Sequence, residues 1–118
     1  EDIIQLLGKR QDVPKLMASA HCYILPSLWE GMPITILEAA ITGIPIIATP
    51  VGNIPAIINH NRGFVADLSE FPYLMSHVMD QYEDTLIKAK NLYEFVTKNY
   101  SIDSTFQKHV HLYNSIWI

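Results

Sequence analysis

The chain holds one cysteine, Cys22, and it sits inside an apolar run. That excludes an internal disulfide and a cysteine metal cluster, and makes a reduced, cytoplasmic setting with Cys22 as core filler the expectation. Positive charge is scarce as well. Eight Lys and Arg against twelve Asp and Glu give a formal charge of -4, and the basic residues are scattered, which argues against a nucleic-acid partner. No apolar run approaches the ~20 residues needed to cross a bilayer. Nor does a charged start lead into an apolar block with a small-residue cleavage site, so any membrane association is expected to be peripheral, at the inner face. Repeats and low-complexity tracts are absent. Among the five histidines, His109 and His111 are two apart and fall on different faces of a helix rather than at metal-ligand spacing.

What the chain does hold is apolar content. Hydrophobic residues make up 49% and charged ones 17% of 118 residues, enough for one domain with a core and in keeping with α/β strands buried on both faces. The first half alternates short apolar runs with helical patterns at βα spacing. Ile3 to Leu7 reads as a strand ended by Gly8, and Asp12 as the cap of a helix through about Ala20. Cys22 to Leu25 reads as a buried strand closed by Pro26-Ser27, and Pro33 to Thr42 as a helix stopped at Gly43. Pro45 launches a strand over Ile46 to Thr49, a short helix covers Ile54 to Asn59, and a turn at Asn61-Arg62-Gly63 precedes a strand over Phe64 to Ala66. Beyond it, Phe71 to Met79, Thr85 to Asn99 and Ser104 to Ile116 carry apolar residues at helical spacing with no further strand signal.

The densest signal is Glu30-Gly31-Met32-Pro33-Ile34-Thr35-Ile36-Leu37-Glu38, where a strand runs out into a turn and a helix starts. Pro33 fits the first helical turn, since its missing N–H would have no intrahelical partner there. Backbone amides around Gly31 to Ile34 then point out of the helix end and, with its dipole, make a site for an anion such as a diphosphate. Glu38 lies more than a turn inside, yet helical side chains lean toward the N-terminus, so it reaches hydroxyls above that end. Carboxylates suit hydroxyls and repel phosphates. Amides for phosphate, with an acid on either side for sugar rings, outline a nucleotide-sugar donor.

Gly8, Pro26-Ser27, Glu30-Gly31-Met32-Pro33, Glu38-Ala39, Gly43-Ile44-Pro45, Thr49, Val51-Gly52 and Gly63-Phe64-Val65, in this order and spacing, resemble the C-terminal, donor-binding half of glycosyltransferase family 4, the group 1 glycosyltransferases of two-Rossmann GT-B fold. The resemblance runs from about Ile3 to Asp67, and the terminal helices also fit it. It implies that Glu30 contacts the donor sugar, that the segment Gly31, Met32, Pro33 and Ile34 holds the diphosphate, and that Glu38 binds the ribose. More loosely, it places Lys9 or Arg10 near the base. The implied activity is that of a retaining, hexosyltransferase-type enzyme of polysaccharide or glycoconjugate biosynthesis. Its co-substrate is the nucleotide-diphosphate sugar, with no metal and no other cofactor.

The chain also departs from the family. Two glycines and a Glu are common where it has Gly52-Asn53-Ile54-Pro55-Ala56, so a polar contact of that loop is expected to be absent. The family's basic phosphate-binding pair and its acceptor-binding Rossmann domain would lie before residue 1, so the 118 residues are expected to be inactive alone. The implied sheet order is 3-2-1-4-5-6, with this chain supplying strand 3 (Ile3 to Leu7) and strands 4 to 6. The expectation is therefore a partial Rossmann-like parallel sheet flanked by helices, with a helical C-terminus and two bare edges. Those edges call for the missing domain, another chain or a second copy as partner.

Several residues carry a plainer reading. Ser27 lacks a nucleophile's context and is expected to hydrogen-bond backbone in a turn. His60 alone among the histidines falls in a loop near the expected ligand end. Trp29 is divided between the core and an exposed role stacking on a sugar or packing on the missing domain. Trp117, Tyr113 and Ile116 resemble the family's helix that packs across to the other domain and are expected to form an apolar patch here. Against the transferase stand a non-catalytic nucleotide-sugar-binding module and a scaffold piece. A nucleotide-sugar epimerase is disfavoured by the Glu-Gly-x-Pro opening.

Overall fold

Three short strands, each leading through a turn or loop into a helix, carry the first half of the chain in the computed structural model, which describes residues 3–116. The order is α1 (Val13–Ser19), β1 (Tyr23–Leu25), α2 (Ile34–Ile41), β2 (Ile46–Ala48), α3 (Ile54–Ile57), β3 (Phe64–Val65), a 3₁₀ turn (Leu68–Glu70), α4 (Phe71–Asp80), α5 (Tyr82–Asn99) and α6 (Ile102–Ile116). All pairing is parallel, in the order β1-β2-β3, with Tyr23 opposite Ile46 and Ile47 opposite Phe64.

β2 is the central strand, and every one of its residues is buried, as a strand covered by helices on both faces must be. Ile46 and Ala48 point into one cluster with Ile36 and Ala40 of α2, Ile54 and Ile57 of α3, and Leu92 and Val96 of α5. Ile47 points the other way, onto Phe71 and Val78 of α4. The period-two alternation of the strand thus sorts the helices into two layers. Gly43, at φ +75°, ends α2 in the left-handed conformation that a residue with a Cβ rarely adopts. The α/β expectation, a partial Rossmann-like parallel sheet with a helical C-terminus, is what the chain forms.

Some local expectations fail. Ile3 to Leu7 is not a strand. None of the described strands pairs with it, and without a neighbour an extended segment has no ladder to complete, so Ile3 and Leu6 remain 98% and 97% exposed. Asp12 occupies the N-cap position of α1 without a capping bond, because its carboxylate is taken by Arg10. Pro33 is the N-cap of α2 rather than its first residue, with extended backbone at φ -77° and ψ 92°. β1 and β3 each pair on one side only among the described residues. No residue of α6 is buried, and Ile102, Phe106, Tyr113 and Ile116 are all exposed. Trp117 lies outside the described residues.

Candidate functional site at the tip of α2

In a parallel sheet the loops that leave the strand ends gather on one edge. Here these are Pro26 to Pro33, after β1, and Thr49 to Asn53, after β2. The two are fastened together. The Thr49 amide donates to the Leu25 carbonyl at 3.2 Å, and its buried hydroxyl donates to the Ser27 carbonyl at 2.6 Å. The Asn53 amide donates to the Gly31 carbonyl at 3.0 Å. Gly52, at φ +56°, lies so close beneath Glu30 that a Cβ would stand 2.0 Å from the Glu30 carbonyl oxygen. Asn53 Nδ2 also approaches Met32 Sδ at 3.3 Å.

This fastening sets the acid and the helix tip. Glu30 is half-buried, and its Oε1 accepts a 2.7 Å bond from the Ser27 hydroxyl. Ser27 therefore bonds a side chain, not the backbone partner expected of it. α2 opens with no side-chain cap and no acidic residue in its first turn. Among the described residues, the amides of Gly31, Met32, Ile34 and Thr35 have no backbone acceptor outside the helix, and these four residues are exposed. Four free donors with the positive end of the helix dipole invite an anion. Pro33 contributes no donor; buried, it fixes the entry of the chain. Ile36, Ala39 and Ala40 turn inward. Glu38, three and four residues from Thr35 and Ile34, is exposed as they are, on the same side of the helix.

Other candidates fall elsewhere. Arg10 is exposed, and its guanidinium forks onto Asp12 with a shortest contact of 2.6 Å. The pair holds the Asp12 carboxyl below its ordinary range and raises Arg10. Trp29 is 90% exposed, which removes the core reading and leaves it on the rim of the loop beside Leu28. His60 precedes β3, so it sits at the amino end of the parallel strands, opposite the α2 tip, where its carbonyl accepts from Lys88. Burial pushes the Cys22 thiol up to about 11, as suits a small apolar residue packed against the cluster of Ile47, Phe71 and Val78. An open cavity of about 600 Å³, lined by Asn59, Arg62, Asn91 and Phe95 among others, also lies at the His60 end. No local pattern signals the Thr49 and Gly52 contacts, which join residues more than twenty positions apart.

Residues 1–83 match the family model of group 1 glycosyl transferases. The chain belongs to this family. It is 33% identical over 111 residues to the Escherichia coli UDP-Gal:alpha-D-GlcNAc-diphosphoundecaprenol alpha-1,3-galactosyltransferase, covering 92% of this chain and 29% of that protein. It is 29% identical over 120 residues to the phosphatidylinositol N-acetylglucosaminyltransferase gpi3 subunit of Schizosaccharomyces pombe, covering 98% of this chain and 26% of that one. The group 1 chain thus spans less than a third of the length of these relatives. Its fold is shared with Anabaena HepE, crystallised with UDP, at a TM-score of 0.85, 23% identity, and coverage of 92% of this chain and 31% of that one. It is shared too with the C-terminal domain of LpcC from Francisella tularensis, at a TM-score of 0.73, 22% identity, and coverage of 84% and 53%. Over the part of each that it covers, the chain thus shares the family of these group 1 glycosyl transferases and the fold of these solved structures.

Proposed function

We propose that this chain is the donor-binding C-terminal part of a retaining hexosyltransferase. It binds a nucleotide-diphosphate sugar and, in the complete enzyme, serves glycosyl transfer to an acceptor hydroxyl. The observation that carries this reading is the α2 tip: unpartnered amides at Gly31, Met32, Ile34 and Thr35, with Glu30 fixed on one side and Glu38 on the other. HepE was also crystallised with UDP-glucose, which is the ligand chemistry such a tip suits.

The chemistry follows from the charges. As the bond between the anomeric carbon and the diphosphate oxygen breaks, negative charge grows on the leaving group. The amides and the α2 dipole lie where that charge grows and need no reorganisation to meet it. Glu30 accepts from sugar hydroxyls and Glu38 from the ribose. The acceptor oxygen then forms the new bond to the anomeric carbon on the same face, and its proton passes to the diphosphate oxygen that leaves. In this reading the amide dipoles carry part of the leaving group's charge and basic side chains from outside the 118 residues carry the rest, so no metal is called on. It does need the upstream segment for cations and acceptor, so transfer by the 118 residues alone is expected to be negligible. Arg10, with Nε and Nη2 on Asp12, keeps only the rest of its guanidinium for the base, which makes it the weakest of the assigned contacts. The setting we assign is cytoplasmic, with peripheral contact at the inner face of the membrane; no described helix is long and apolar enough to cross one.

Titrating the chain calorimetrically with UDP, GDP and ADP tests the reading. One of the three binds, and Glu38→Ala weakens that ligand about tenfold, the loss of one charge-assisted bond pair to ribose. Absence of binding by all three defeats the proposal.

A further inference from the structure

Three polar contacts form a relay behind the proposed sugar site. Thr49, 4% exposed at the end of β2, has its amide on Leu25 and its hydroxyl on the Ser27 carbonyl at 2.6 Å. The Ser27 hydroxyl in turn donates to Glu30 Oε1 at 2.7 Å. A serine hydroxyl has one proton to give, and giving it to Oε1 fixes the rotation of the carboxylate while leaving Oε2 without a partner among the described residues. Gly52, packed under the Glu30 carbonyl, holds the backbone of the same residue. Glu30 is thus held at both ends before any ligand arrives, whereas an unheld glutamate must give up side-chain rotamer freedom on binding.

We propose that Ser27, anchored by Thr49, is a positioning residue that presets the Glu30 carboxylate for the glycosyl half of the donor. The proposal rests on the donor-site reading above. It separates two parts of one ligand: the diphosphate meets the amides of Gly31, Met32, Ile34 and Thr35, which Ser27 does not touch, while the sugar meets Glu30, which it does. A Ser27 that only braced the loop would shift both parts together.

The test compares UDP and UDP-glucose binding to the 118-residue chain by calorimetry, in wild type, Ser27→Ala, Ser27→Thr, Glu30→Gln and the Ser27→Ala/Glu30→Gln double variant, with melting followed in parallel. If GDP is the diphosphate that binds, GDP and GDP-mannose are the pair. Ser27→Ala weakens the nucleotide sugar about tenfold, the size of a hydrogen bond to a charged group, and the bare diphosphate less than about twofold. Ser27→Thr keeps the hydroxyl and restores most of the loss. In the Glu30→Gln background, Ser27→Ala costs little more, because the two act as one unit. Equal losses for both ligands, or additive losses in the double variant, overturn the positioning role while leaving the donor site standing. If wild type binds neither pair, the donor-site reading fails and the positioning role with it.

Discussion

Gly52 is the residue on which the geometry of the loop most depends, although it touches no proposed ligand. Its φ of +56° and the 2.0 Å that a Cβ would leave to the Glu30 carbonyl leave room for hydrogen alone. Gly52→Ala is expected to destabilise the chain by about 2 kcal/mol or more, from backbone strain and overpacking together. Urea denaturation measures this, and a change within about 0.5 kcal/mol would contradict the packing. That Glu30 and Glu38 lie on either side of a helix start was legible in the sequence, since acids bracketing a Gly-x-Pro form a local pattern. Ser27's bond to Glu30, the Thr49 anchor and the Gly52 contact were not, because they depend on how the β1 and β2 loops come together across the sheet edge. Asp12 shows the converse failure: a good capping residue is diverted when an arginine two positions away forks onto it.

Helix α2 joins the core to the proposed site, so its two sides should answer differently to truncation. Ile36 is 0% exposed between β2 and α5, whereas Ile41 is 56% exposed. Ile36→Ala is expected to cost about 2–5 kcal/mol, and Ile41→Ala no more than about 0.5 kcal/mol. Denaturant midpoints of the two variants check this contrast, and equal costs would contradict the assigned faces. Helices were legible because their apolar period is internal to each segment; α4, α5 and α6 lie where the spacing put them, to within a few residues. A strand is less local. Cys22 to Leu25 and Ile46 to Thr49 fold largely as read, because they find each other, and Ile3 to Leu7, no less apolar, finds no neighbour.

At the scale of the molecule, the chain carries unsatisfied surface at four places. The outer sides of β1 and of β3 have no partner among the described residues, Ile3 and Leu6 stand in solvent, and α6 buries none of its apolar side chains. Open edges and apolar patches of this kind associate. Light scattering is therefore expected to show the isolated chain forming dimers or larger species as its concentration rises, and a monomer at every concentration would contradict that. The central claim lies at the opposite kind of surface, polar and preset. Amide resonances of the ¹⁵N-labelled chain, followed during titration with UDP or GDP, test it most directly. The account predicts that Gly31, Met32, Ile34 and Thr35 shift most. Shifts confined to the His60 end of the sheet, or none at the tip of α2, would contradict it.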